Sequence, residues 1–103
     1  MTVVMLEQDD RRCVFSVCGH APRMAGMDGN PLCAAVSILC QTLRQTIQQS
    51  GECAEYAEAV GDGQTYCVFT GGGCQVNGAV GTVLTGFMLL QSKYPDKIAV
   101  LIK

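Results

Sequence analysis

The chain carries one histidine, His20, and a cysteine, Cys33, at the two ends of a loop-forming segment. The order is Gly19-His20-Ala21, then Pro22, Gly26 and Gly29, then Asn30-Pro31-Leu32-Cys33-Ala34-Ala35-Val36-Ser37. A thiol becomes a nucleophile when a base takes its proton and positive potential stabilises the sulfur anion. An imidazole supplies the base. The start of a helix supplies the potential, through its unpaired N–H groups and the positive end of its dipole. Asn30 is a good N-cap, and Pro31 then falls at the first helical position, where its missing N–H costs nothing. Cys33 is therefore predicted in the first turn of a helix. A loop of about a dozen residues closes at small entropic cost, so His20 could reach the thiol. Such a pair is suited to acyl transfer, and the same helix start could donate N–H groups to a developing oxyanion.

The neighbours of the pair carry open readings. Ser37 stands one helical turn after Cys33, on the same face. It could hold a substrate or orient the thiol, or it could be a small packing residue bonding back to the Cys33 carbonyl. Gly19 would let a substrate backbone approach closely. Cys18 could resolve an oxidised Cys33, but its expected place is the core. Asp28 or Asn30 could orient His20 as a third member does in triads, and the spacing selects neither. Metal binding is the rival chemistry, because Cys13, Cys18 and His20 cluster ahead of Cys33. No Cys-x-x-Cys pair occurs, and structural zinc sites show close pairs, so neither metal nor cofactor is expected. Gly71-Gly72-Gly73 is not followed by the Gly-Lys-Ser/Thr of a phosphate loop.

The elements that must position these residues are legible from period and punctuation. Val3 to Gln8 and Cys13 to Cys18 form a hairpin across Asp9-Asp10-Arg11. The first helix carries an apolar stripe of Leu32, Val36, Leu39, Cys40, Leu43 and Ile47, and Ser50-Gly51 ends it. Gln41, Arg44, Gln45, Gln48 and Gln49 cover its opposite face. A weak strand near Ala54 to Val60 turns at Gly61-Asp62-Gly63 into a strand from Gln64 to Thr70. A second helix is predicted from about Val76 to Lys93, with Val76, Val80, Val83, Leu84, Phe87 and Met88 on successive turns. Gly78, Gly81 and Gly86 each weaken it by about 1 kcal/mol relative to Ala, and imply close helix packing or a late, frayed start. Tyr94-Pro95 stops it. Lys97 to Ile102 is apolar on both faces, which predicts a central strand. The order is ββαββαβ, an α+β fold with two helices packed on a mixed or antiparallel sheet. One domain over residues 1–103 is the natural count.

Composition bounds the function. The chain is 49% hydrophobic with no Trp, three Phe and three Tyr, so the core must be aliphatic. Small cores gain by dimerising, and a homodimer is expected. Net charge is −2 and the seven Lys+Arg do not cluster, which argues against nucleic-acid binding. No apolar run reaches the length of about 20 residues that spans a membrane. Met1 to Glu7 has neither a basic region nor a cleavage site, so the cytoplasm is expected. Seven cysteines without a secretion signal argue against a disulfide framework. Most should be small buried hydrophobes.

Gly19-His20-Ala21 followed by Cys33-Ala34-Ala35-Val36-Ser37 resembles the signature of the ribosomal-processing cysteine proteases called Prp. Tyr94-Pro95-Asp96-Lys97-Ile98-Ala99-Val100 is similar to that family's ending, and the element order agrees over essentially the whole chain. The resemblance implies a cytoplasmic homodimeric cysteine endopeptidase. Its partner would be a ribosomal protein precursor peptide, the N-terminal extension of large-subunit ribosomal protein twenty-seven. The family's histidine falls on His20, its nucleophile on Cys33 and its motif serine on Ser37. Asn30-Pro31-Leu32 departs from the family's usual Asp and two apolar residues, keeping the cap but losing a charge. The alternative is a non-catalytic dimeric binding protein that retains the fold.

Overall fold

Alternation along the strands decides which side of the sheet is covered. Strand β1 (Thr2–Asp9) buries Thr2, Val4 and Leu6, and leaves Val3 and Met5 half-buried. Strand β2 (Arg12–Cys18) buries Cys13, Phe15 and Val17. The two form the expected hairpin, with Asp9 opposite Arg12 and Val3 opposite Cys18. Helix α1 (Pro31–Ser50), strands β3 (Cys53–Gly61) and β4 (Gln64–Gly71), helix α2 (Cys74–Lys93) and strand β5 (Ile98–Ile102) complete the order ββαββαβ. This structure, a computed structural model, describes residues 1–9, 11–19, 31–61 and 63–103. His20, Asp28, Asn30 and the loop read between them lie outside the described residues.

The sheet is mixed, in the order β3-β4-β2-β1-β5. Its strand pairs are antiparallel except β1 with β5, which run parallel because α2 carries the chain back across the sheet. Both helices pack on one face. Helix α1 buries Leu32, Val36, Cys40, Leu43 and Ile47, which is the predicted stripe except for a half-buried Leu39. Helix α2 buries Val76, Val80, Val83 and Phe87. Phe87 meets Phe15 of β2 with ring centroids 5.8 Å apart at a tilted 37°, a favourable aromatic geometry. Met88, read as part of that stripe, is 51% exposed, because it lies one residue round from Phe87 and off the face that meets the sheet.

Strand β5 is not central. It pairs only with β1 and forms an edge, with Leu101 and Ile102 exposed. Helices cover only one face of this sheet, so an apolar run on a parallel strand does not require burial on both sides. The edge is protected locally: the Val100 N–H donates to Gln91 Oε1 of α2 at 2.6 Å, which occupies a backbone donor that could otherwise recruit another strand.

Helix α2 starts at Cys74, earlier than the glycines suggested, because a distant side chain caps it. Gly73 is the N-cap residue and has no side chain to offer. Glu52 supplies the acceptor instead. Its Oε1 accepts from the N–H groups of Gly73 at 3.0 Å and Val76 at 2.8 Å, and its Oε2 from Gln75 at 3.3 Å. A Cβ on Gly73 would stand 2.8 Å from Glu52 Oε2, so a side chain there would displace the carboxylate from its present seat. The three helical glycines divide. A Cβ on Gly86 would stand 3.0 Å from Leu39 Cδ2 of α1, which is close helix packing, whereas Gly78 and Gly81 face open space.

These helical contacts set the stability of simple variants. Gly78→Ala and Gly81→Ala should each stabilise the protein by about 0.5–1 kcal/mol through helix propensity alone. Gly86→Ala should gain less or lose, because Leu39 must move; urea midpoints of the three variants rank them. The backbone donors of Val76, Gln75 and Gly73 hold the Glu52 carboxyl below its ordinary range. A lowered folded value means that the stabilisation is fully present above the unfolded carboxylate value, about 4.3, and is lost as pH falls through the folded value. Glu52→Gln should therefore lower the thermal midpoint at pH 7, and the gap to the parent should narrow on acidification to pH 3.

Candidate active site

Burial of the α1 stripe determines where Cys33 points. Leu32 is 1% exposed and fixes the first turn against the core. Cys33 is the next residue round the helix and is left half-buried. No acidic residue occupies that first turn, so nothing within it opposes an anion at the helix start. Ser37, Gln41 and Arg44 continue the same flank down the helix.

That flank looks across at β3. The two elements run antiparallel: Gln48 Nε2 donates to Tyr56 Oη at 3.4 Å and to Glu58 Oε1 at 3.5 Å, and Arg44 pairs through Nε with Glu58 Oε2. The Tyr56 hydroxyl also donates to Glu58 Oε2, at 3.2 Å. Toward Cys33 the polar contacts give way to a cleft of about 290 Å³. Cys33, Ser37, Gln41 and Arg44 form its helical wall. Val60 and Gly61 of β3, Gln64 and Thr65 of β4, and Val17, Gly19 and Thr2 form its sheet wall. Arg44 is the one charged side chain among the described residues that line it.

Of the residues read from the sequence, Gly19, Cys33 and Ser37 line this cleft together. His20 lies outside the described residues. Ser37 Oγ accepts from Gln41 Nε2 at 3.0 Å, a bond along the cleft wall. Gly19 has φ +99° and donates its N–H to the Gly63 carbonyl at 2.9 Å. The close approach that its missing side chain permits is to the chain's own Met1: a Cβ there would collide with the Met1 carbonyl oxygen. Gly19 thus joins the β3–β4 turn, the end of β2 and the N-terminus.

Cys18 is exposed, contrary to the expectation that it is core. Alternation turns it to the sheet face opposite Val17, away from the cleft. Cys13 is buried on the helical side of the same strand, so the cysteines considered for zinc point to different sides of the sheet. No metal-binding group of His, Cys, Asp or Glu occurs among the described residues. Burial pushes the Cys40 thiol up to about 11 and the Cys67 thiol up to about 12, and also raises Cys13 and Cys53. Gln41 and Arg44, expected on the face opposite the apolar stripe, are cleft residues that the sequence does not single out. Their spacing of two and three turns from Cys33 is the signal that places them on its flank.

Residues 1–99 match the family model described as cysteine protease Prp. A search of curated proteins returns no match. Among solved structures, the chain is similar to the essential ribosomal processing protease Prp from S. aureus in complex with a covalently linked product peptide. Identity is 14%, the TM-score is 0.77, and all of both chains is covered. The same S. aureus protease in complex with a substrate peptide matches at 13% identity and TM-score 0.70, again over all of both chains. SMU.848 from Streptococcus mutans matches at 20% identity and TM-score 0.68, over 99% of this chain and 93% of that one. At these identities the likeness to solved structures carries the fold.

Gly19→Ala tests the clamp beside the cleft. The positive φ alone should cost roughly 1–3 kcal/mol, and the collision with Met1 should add to it. The expected result is a clear fall in the urea midpoint, accompanied by faster amide exchange at the start of β1.

Proposed function

The chain belongs to the cysteine protease Prp family, and on that premise we propose that it is a cysteine endopeptidase with Cys33 as nucleophile and His20 as base. One observation supports this reading above others: Cys33 stands half-buried in the first turn of α1, on the wall of a cleft. His20 takes the thiol proton as the sulfur attacks the scissile carbonyl. The carbonyl π electrons move to oxygen, and N–H groups at the start of α1 stabilise that charge. Collapse of the tetrahedral species breaks the C–N bond, and His20 returns the proton to the leaving amine. Water, deprotonated by His20, then attacks the thioester and releases the acid product together with the Cys33 thiol. Ser37 holds the substrate chain along α1, next to Gln41.

The substrate is the extended precursor of large-subunit ribosomal protein twenty-seven, and the reaction removes its N-terminal extension during ribosome assembly. This assignment rests on the family and on the motif residues of this chain. An elongated cleft with few charges fits an extended peptide better than a nucleic-acid backbone, which calls for several basic groups on one face. The working form is a cytoplasmic homodimer.

Cys33→Ala should reduce cleavage of the extended precursor by a factor on the order of a thousand or more and leave the far-UV circular dichroism unchanged. Iodoacetamide at neutral pH should label Cys33 ahead of Cys13, Cys40, Cys53 and Cys67. Undiminished cleavage by the Cys33→Ala protein would sink the proposal.

A further inference from the structure

We propose that Arg44 is a specificity-determining residue: it binds the side-chain oxygen of a substrate Asn, Gln, Asp or Glu about five residues from the scissile bond. This deepens the reading of the cleft as a peptide-binding site and rests on it.

The position follows from geometry. Cys33 and Arg44 lie on one flank of α1, about 16 Å apart at 1.5 Å per helical residue. An extended chain advances roughly 3.3 Å per residue, so a peptide whose scissile carbonyl sits at Cys33 reaches Arg44 after about five residues. The chemistry follows from what surrounds the guanidinium. Arg44 lines the cleft, whereas Glu58 does not. Glu58 pairs with the Nε of Arg44, while Tyr56 and Gln48 hold Glu58 in turn. The guanidinium is anchored by Glu58 and is also hydrogen-bonded to Tyr56; of its five N–H donors, the remainder lie in a fixed plane and match the oxygen of a carboxylate or carboxamide. Because the side chain is already oriented, little rotamer freedom remains to be lost on binding. Stability does not explain this arrangement: the Arg44 and Glu58 side chains are 22% and 31% exposed, and exposed pairs contribute about 0–1 kcal/mol.

The test measures binding without turnover. Fluorescein-labelled peptides spanning the junction between the extension and the mature ribosomal protein are titrated against the Cys33→Ala protein by anisotropy. Each Asn, Gln, Asp and Glu of the peptide is replaced in turn by Leu. Adding Arg44→Ala should weaken binding of the parent peptide about tenfold, the loss of one hydrogen bond to a charged group. One Leu-substituted peptide, altered about five residues from the junction, should lose the same factor while Arg44 is present and nothing further once Arg44→Ala is in place. Arg44→Lys, which keeps the charge but not the planar fork, should fall between and covers the case in which the alanine variant folds poorly. A change of less than about twofold, or an equal loss against every peptide, would overturn the proposal. Cleavage by the unmodified enzyme separates the two readings. Efficient cutting without Arg44-dependent binding removes the subsite and leaves the peptidase. Arg44-dependent binding without cutting removes the peptidase and leaves the subsite.

Discussion

The phase of one buried helical stripe governs the rest of the site. Leu32, Val36, Cys40, Leu43 and Ile47 are each less than a tenth exposed and lock α1 onto the sheet. At roughly 1.5–3 kcal/mol for each large aliphatic side chain buried, rotation of this helix about its axis is prohibited. Cys33, Ser37, Gln41 and Arg44 therefore cannot choose their direction; they are what remains on the flank toward β3. The helix then touches β3 through polar groups at one end only, where Arg44 and Gln48 meet Tyr56 and Glu58. The other end is left apart, and the gap is the cleft.

The two helix starts differ in what the described residues place beside them. Each begins with backbone N–H groups that favour negative charge. At α2 the Glu52 carboxylate accepts three of them. The glycine run that could suggest a phosphate loop is instead a seat for that carboxylate, with Gly71 and Gly72 at positive φ and Gly73 without a side chain. At α1 the first turn contains no acid and holds a thiol. One start serves stability. The other carries Cys33 beside the cleft.

Local pattern made the elements legible, and non-local contact hid the rest. Period 3.6 located both helices, and alternation located β1, β2 and β4, because those periods follow from which face is buried. The edge position of β5 is not legible locally, because an apolar run reports side-chain type and not strand order. The true start of α2 was hidden because its cap comes from Glu52, 21 residues before Gly73, beyond the reach of capping rules. Cys33, Gly19 and Ser37 were legible through motif and spacing. Arg44 was not, because a half-exposed arginine on a helix reads as solvent-facing until its partner on β3 is known.

Seven cysteines in so short a chain made any one of them weak as a signal, and burial is what sorts them. Desolvation disfavours the thiolate, and it raises Cys13, Cys40, Cys53 and Cys67 above the ordinary thiol range. These four act as small apolar side chains. Three others remain. Cys18 is on the uncovered face of the sheet, across from the cleft. Cys74 begins α2, where the Glu52 carboxylate already takes backbone N–H groups, and it does not line the cleft. Cys33 alone of the seven combines a helix start, an acid-free first turn and a place on the cleft wall. Position in the fold, not residue type, is what sets Cys33 apart from the other six thiols.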